Sequence, residues 1–387
     1  MDNLKAIVIG AGMGGLTAAI ALRQSGYTVE IYDRVSQLRP AGAGISLWSN
    51  GVKVLNRLGL GRQIAQIGGQ MDRMTYFDST GEKLTDFSLD SLIAQVGQRP
   101  YPVARRDLQQ ILLTAVGEDQ VCLNAKCIAV EEDEQGVTAL FENGHRATGD
   151  VLIAADGTHS RLRPYVLGHP TDRRYAGYVN WNGLVPIDTA LAPPNSWVIY
   201  VGDHQRASLM PVGGDRFYFF FDVPLPKGTS SSPQHYKEEL LVYFHGWAAP
   251  VQSLIERLDP AQINRVEIHD IEPLTTLVRG RVALLGDAAH STAPDLGQGG
   301  CQAMEDAEVL SRCLLTNNID IPDALKRYEA QRKDRVTDII LRARKRADMT
   351  HGKDPIKTQQ WYEELKQEDG TNILQALAHT ILAGPLH

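Results

Sequence analysis

The amino-acid sequence predicts an α/β protein: a parallel-sheet domain, interrupted by a second domain built on an antiparallel β-sheet and followed by C-terminal helices. Three observations carry this. A β-branched run, Ala6-Ile7-Val8-Ile9, meets Gly10-Ala11-Gly12-Met13-Gly14-Gly15 and then an alanine-rich helical stretch to Leu22. Two further apolar strands end in short acid–glycine turns, Asp156-Gly157 and Gly286-Asp287. Between those turns lies a block of alternating, aromatic-rich strands with a Gly213-Gly214-Asp215 hairpin signal.

The 387 residues are too many for one ordinary core and suit two domains. Hydrophobic residues make up 43% and charged residues 22%, as in a soluble globular protein. A net charge of −7 gives no basic footprint for nucleic acid. Cys122, Cys127, Cys301 and Cys313 show no CxxC or disulfide-like spacing and fit a reducing cytosol. The chain enters a strand at once, without room for a signal peptide, and no apolar run reaches membrane-spanning length. No HExxH or Cys/His cluster proposes a metal. The expectation is a cytoplasmic monomer or homodimer with a small-molecule substrate and no nucleic-acid or membrane partner.

The first motif is GxGxxG with a strand before it and a helix after it. Gly10 permits the tight turn, Gly12 lets a pyrophosphate approach the backbone, and Gly15 lets helix and strand pack closely. The second strand, Thr28-Val29-Glu30-Ile31-Tyr32, ends in Asp33, placed to bind adenosine ribose hydroxyls, with Arg34 beside it. These features describe a Rossmann-like dinucleotide-binding domain. Gly42-Ala43-Gly44-Ile45-Ser46 leads into a helix near Val52 to Leu58, and Arg105-Arg106-Asp107-Leu108 begins another. The Asp156 strand is followed by Ser160, Arg161 and Arg163.

In the second domain, Phe217, Phe219 and Phe221 share one strand face, and Tyr218, Phe220 and Asp222 the other. One face suits a core and the other a pocket. The hairpin reading places Arg206 across from Tyr218. In the third motif an apolar strand reaches Gly286-Asp287, then Gly297-Gln298-Gly299-Gly300 opens a helix marked by Ala303, Ala307, Leu310 and Leu314. An acid just after a strand can accept from a sugar hydroxyl, and a helix opening on glycines presents N–H groups to an anion. From Ile321 a basic helical pattern runs to about Met349. The expected division is 1–72, 100–170 and 270–330 for the dinucleotide-binding domain, 73–99 and 171–269 for the substrate domain, and 331–387 for a C-terminal helical segment.

The three motifs in this order resemble the single-component flavoprotein aromatic hydroxylases, the para-hydroxybenzoate hydroxylase-like family. The resemblance covers about residues 1–350 and departs at Gly300 and Ser49, where many members carry other residues. It implies a Rossmann-like FAD-binding domain of the glutathione reductase type. FAD would meet Gly12, Gly14 and Gly15 at its pyrophosphate, Asp33 at its ribose and Asp287 at its ribityl chain. Ser46, Arg105 and the backbone at Cys127 would be further contacts. Asp156 would serve both FAD and NADH, and the helix beginning at Gly299 would point at the pyrimidine side of the flavin ring.

The stretch from Tyr175 to Gly183, the Arg206 and Tyr218 strands and His269-Asp270-Ile271-Glu272-Pro273 resemble the urate-hydroxylating bacterial branch of that family. The resemblance implies Asn180, Arg206 and Tyr218 as the purine site, with Arg206 and Tyr218 catalytic. It also implies hydroxylation of urate at C5 to 5-hydroxyisourate, using NADH and O2. An arginine fork suits an anionic ring and an amide suits its mixed donor and acceptor edge. The alternative is a hydroxylase of the same family acting on a salicylate- or nicotinate-like ring. A non-enzymatic redox sensor and a plain NAD dehydrogenase lack the second and third motifs. His204 and His290 are read as structural or pocket-edge residues.

Overall fold

The structure is a computed structural model and describes residues 4–38, 42–315 and 320–386. Its first sheet has six strands in the order Val278–Arg279, Val282–Leu284, Val151–Ala154, Lys5–Ile9, Thr28–Tyr32 and Val121–Cys122. All neighbours run parallel except the outermost pair, Val278–Arg279 with Val282–Leu284. Ile7, Val8, Leu152, Ile153 and Leu284 are fully buried, as a parallel sheet covered on both faces requires. Because these strands run the same way, the turns at Gly10, Ala155-Asp156 and Leu285-Gly286 all emerge at one edge. The three sequence motifs thus converge, though they lie far apart along the chain.

The second large sheet has seven strands: Asn264–Ile271, Arg173–Pro186, Arg216–Val223, Gln205–Val212, Ser196–Gly202, Arg73–Asp78 and Lys83–Ser88. It is antiparallel apart from the pairing of Ser196–Gly202 with Arg73–Asp78. Alternation decides its two faces. Val179, Trp181, Phe217, Phe219 and Phe221 point into a core closed by the helices Tyr236–Tyr243 and Ala249–Arg257. A fully buried large apolar side chain contributes about 1.5–3 kcal/mol relative to exposure. The intervening residues, Tyr178, Asn180, Asn182, Tyr218 and Asp222, therefore share the opposite face.

A two-stranded link, Gly44–Ile45 with Val103–Ala104, leads to the helix Arg105–Val116, and a three-stranded sheet holds Cys127–Glu132. The long helix Ile321–Thr350 starts where Asp320 accepts from the Asp323 N–H and a proline occupies the first turn. It runs through residue 330 without a break, so that expected boundary lies inside a helix. The helices Pro355–Gln367 and Thr371–Leu382 complete the chain. No helix of the described residues is long and apolar enough to cross a membrane.

Candidate active site

The glycine-rich turn separates two jobs that its sequence pattern combines. Gly10 has φ +109°, and a Cβ there would lie 2.2 Å from the Ala155 carbonyl oxygen, so only glycine fits. A Cβ on Gly15 would lie 1.9 Å from the Gly10 carbonyl oxygen, and one on Gly14 2.9 Å from Leu285. These two are packing positions whose offer to a ligand is confined to their N–H groups. A Cβ on Gly12 would meet nothing within 4 Å among the described residues, and Gly12 caps the helix Met13–Gln24, leaving the cradle open at the helix N-terminus. Asp33 braces this loop, its Oδ2 accepting from Ala11 N–H at 2.7 Å and its Oδ1 from Val35 N–H at 3.0 Å. Arg34 is exposed beside it.

The third motif rests on a buried charged network. Gly286 adopts φ +61°, and its N–H donates to Asp306 Oδ2 at 2.9 Å. His290 Nε2 lies 2.6 Å from the same oxygen, and Arg332 Nε donates to Oδ1 at 2.7 Å. Burial alone would raise the Asp306 carboxyl, but His290 and Arg332 overcome it and bring it down to about 2. Arg163, also buried, donates to the backbone oxygens of Ala288 at 2.7 Å and Asp287 at 2.9 Å. With the peptides held this way, Asp287 is the one exposed residue between Val282 and His290.

Gly299 opens the helix Gly299–Cys313 and has only Thr292 near its missing Cβ, at 3.8 Å. Gly300 is closed by Ile45 at 2.4 Å and Gly297 by Trp48 at 2.8 Å. The Gln298 side chain turns inward and accepts from Asn50 at 2.9 Å and Gln302 at 3.0 Å. Ser46 lies half-buried, its Oγ directed at Met210 Sδ at 3.7 Å. Arg105 Nε donates to the Gly44 carbonyl oxygen at 3.0 Å. Asp156 Oδ2 accepts from Arg161 N–H at 2.8 Å, whereas its buried Oδ1 has no hydrogen-bond partner among the described residues. Cys127 is buried, and burial pushes its thiol up to about 11, so the thiol stays protonated at neutral pH and is no nucleophile.

On the polar face of the large sheet, side chains form one continuous chain of contacts. Ala43 N–H donates to Asn182 Oδ1 at 3.2 Å, Asn182 Nδ2 to Asn180 Oδ1 at 2.7 Å, and Asn180 Nδ2 to Asp222 Oδ1 at 2.6 Å. Arg206 Nε donates to Asp222 Oδ2 at 2.8 Å, and its Nη2 to Asp295 Oδ1 at 3.2 Å. Tyr178 donates to Asp295 Oδ2 at 2.6 Å. The expected pairing of Arg206 with Tyr218 is corrected: the register sets Arg206 against Asp222 and Met210 against Tyr218. The turn centred on Gly214 fixes that register, with Val212 against Arg216, Met210 against Tyr218 and Arg206 against Asp222, so a correct count outward from the Gly213-Gly214-Asp215 signal already leads to Asp222. Tyr218 instead packs over Gly44, where a Cβ would lie 2.3 Å from its Cγ. Burial pushes the Tyr218 hydroxyl up to about 12, against the pull of Arg105, so the phenol keeps its proton at neutral pH.

A family model described as "FAD binding domain" matches residues 3–343. The chain belongs to the FAD binding domain family. Curated relatives named FAD-dependent urate hydroxylase are 56% identical in Klebsiella pneumoniae, over 99% of this chain and 100% of theirs. In Mycolicibacterium vanbaalenii the identity is 51%, over 99% and 98%. A crystal structure of Klebsiella pneumoniae HpxO complexed with FAD and uric acid has TM-score 0.97 at 55% identity, covering 99% of this chain and 98% of that one. A salicylate hydroxylase substrate complex, at 24% identity and TM-score 0.77, shares the fold.

The residues of this FAD-binding chain fit the cofactor. Gly12 leaves open room at a helix N-terminus, which suits a pyrophosphate. Asp287 offers an exposed carboxylate on an otherwise buried turn, which suits a polyol. Sequence reasoning missed the groups that hold these in place. Arg163 and Asp222 stood in quoted stretches without a role, Asp295, Asp306 and Arg332 fell inside the third motif and the helical patterns without being singled out, and His351 lay just past them. The signal for Asp222 was there, an acid in an aromatic strand on the face of Tyr218. Nothing local marks Arg332, whose meaning depends on the packing of its helix against the helix Gly299–Cys313.

Proposed function

We propose that this chain is an FAD-dependent urate hydroxylase that places one oxygen atom of O2 on C5 of urate. Urate, NADH, O2 and a proton would give 5-hydroxyisourate, NAD+ and water. The observation that carries the reading is the polar sheet face, where Asn180, Arg206 and Tyr218 gather beside the 42–46 loop in a chain 55% identical to one crystallised with FAD and uric acid. When bound, FAD supplies the redox chemistry that activates O2.

This chain's residues supply charge, orientation and exclusion of water. Burial would lower the Arg206 guanidinium, but Asp222 and Asp295 outweigh it and hold the group cationic. Asp222 engages Nε and Nη2 and Asp295 engages Nη2, which leaves Nη1 outside these hydrogen bonds and ion pairs. That edge is the donor proposed for an anionic purine, in place of a full fork. Asn180 and Asn182 set the edge of the same site, and neutral Tyr218 can donate its proton in a hydrogen bond to the ring. Gly12, Gly14 and Gly15 would contribute N–H groups to the cofactor pyrophosphate, Asp33 would meet the ribose, and Asp287 the ribityl chain. Arg34, Ser46, Arg105, Cys127, Asp156 and the 297–300 loop would complete the cofactor side. The interrupted arrangement, with 73–99 and 171–269 forming a substrate domain, is part of this proposal. So are a cytoplasmic setting, which suits four free cysteines, and action as a monomer or homodimer.

The test is NADH oxidation, oxygen uptake and urate loss by the flavin-loaded protein, with NADPH in parallel. The expected result is oxidation that rises with urate and consumes urate and O2 one for one. Oxidation that ignores urate but rises with a salicylate- or nicotinate-like ring overturns the assignment.

A further inference from the structure

The substrate site carries a residue from the far end of the chain. His351 follows the helix Ile321–Thr350 directly and is buried. Its ring stacks on Tyr178, with centroids 3.9 Å apart and planes at 25°. Its Nδ1 lies 3.2 Å from the His204 carbonyl oxygen. A carbonyl only accepts, so Nδ1 carries the proton. Nε2 then faces Asp295 Oδ1 at 3.8 Å, within reach of charge but too far for a hydrogen bond, and it has no hydrogen-bond partner among the described residues.

Both of these contacts converge on Arg206. Asp295 accepts from Tyr178 on one oxygen and from Arg206 on the other. The stack of His351 on Tyr178 fixes the phenol, the phenol fixes the carboxylate, and the carboxylate fixes the guanidinium. The second contact acts on the hairpin turn. Asp203 and His204 both take positive φ, +49° and +63°, which non-glycine residues rarely adopt. His351 holds the His204 carbonyl, the Tyr362 hydroxyl accepts from the His204 N–H at 3.1 Å, and Gly352 lies against the His204 ring. Arg206 leaves this turn two residues later.

We propose that His351 is a positioning residue for the substrate site, setting Arg206 through Asp295 and Tyr178 on one side and through the His204 turn on the other. The inference rests on the urate-hydroxylase reading for its ligand. It deepens that reading by making the C-terminal segment part of substrate recognition.

Two variants test it. His351→Phe keeps the stack and removes both nitrogens; His351→Asn can restore a donor towards His204. His351→Phe should weaken equilibrium urate binding and raise KM about tenfold, the scale of one lost hydrogen bond to a buried network. It should also lower the urate hydroxylated per NADH oxidised, with FAD content unchanged. His351→Asn should recover part of both losses. Unchanged urate affinity and coupling in both variants, or a lower Tm and FAD content with urate affinity intact, overturns the proposal. Wild-type protein is measured alongside, and its indifference to urate would overturn the substrate reading instead. The positioning itself is read without urate, from a double-mutant cycle on unfolding with His351→Phe and Arg206→Gln. Non-additive effects are expected, and additive ones overturn it.

Discussion

Arg206 and Asp222 meet across one rung of the large sheet, with Nε 2.8 Å from Oδ2 and Nη2 2.7 Å from the same oxygen. The Asp222 side chain is 1% exposed and that of Arg206 11%, so the pair stands largely out of water. A buried carboxylate so placed needs its cation, and the cation in turn is aimed by it. Arg206 is thus a structural partner and a candidate substrate ligand at once.

Replacing Arg206 by Gln should therefore have two separable effects. It leaves Asp222 and Asp295 without their shared cation, which should cost about 3–5 kcal/mol of stability. Urate hydroxylation should fall roughly ten- to a hundredfold, by loss of a charged hydrogen bond. Adding Asp222→Asn should return part of the stability without the activity. Urea unfolding together with urate loss would show the separation; recovery of both at once would mean that Arg206 acts only through the fold.

Gly44 supports Tyr218 by having no side chain. In Gly44→Ala the new methyl carbon would lie 2.3–2.8 Å from Cγ, Cδ2 and Cβ of Tyr218, so the ring must move. Urate-dependent oxygen transfer should drop at least tenfold, more than in Tyr218→Phe, because a displaced ring also disturbs the carbonyl that accepts from Arg105. Activity of both variants within twofold of wild type would remove Tyr218 from the site.

Gly12 and Gly15 should respond to alanine in opposite ways. Gly15→Ala drives a methyl into the Gly10 carbonyl and should destabilise the protein by about 1–3 kcal/mol even without cofactor. Gly12→Ala adds a methyl where nothing lies within 4 Å, so the fold should stand while FAD retention falls. Thermal unfolding of the apoprotein and the flavin-to-protein absorbance ratio distinguish the two.

Asp306 should give the fold an acid-sensitive element. Its folded carboxyl lies at about 2, below the ordinary value of about 3.9. A depressed carboxyl stabilises the folded state fully above the unfolded value and loses that contribution as pH falls through the folded one. The window is thus from about pH 4 down to about pH 2, and the amount about 2–3 kcal/mol. Asp306→Asn should flatten the loss of urea stability across that window and weaken FAD retention, because the Gly286 turn loses its acceptor and Asp287 moves with it. Asp287→Ala should weaken retention while leaving the acid profile unchanged.

Much of this was legible in the chain itself. Gly10 through Gly15 between a strand and a helix, Asp156-Gly157 and Gly286-Asp287 after apolar strands, and the alternation of Phe217 to Phe221 were local patterns. Each reflects a local cause: backbone room for a turn, the period of a strand, or the start of a helix. Gly14 and Gly15 show the limit, since one consensus holds a ligand-facing glycine and packing glycines that only the neighbouring Leu285 and the Gly10 carbonyl tell apart.

From the sequence alone came the α/β class, the order of the three motifs, the two faces of the Tyr218 strand and the candidate residues. Which groups meet was decided by the tertiary structure. Asp222 stands opposite Arg206 by the count outward from the local Gly214 turn, but that the pair also meets Asp295 is a matter of tertiary packing. Asp306 meets Arg332 because the helices Gly299–Cys313 and Ile321–Thr350 pack together, and Asp295 meets Tyr178 and His351 because the turn at Pro294–Leu296 and the end of the long helix come to the polar face of the large sheet. Such contacts join residues distant along the chain, and burial makes them strong by removing the water that would otherwise screen each charge.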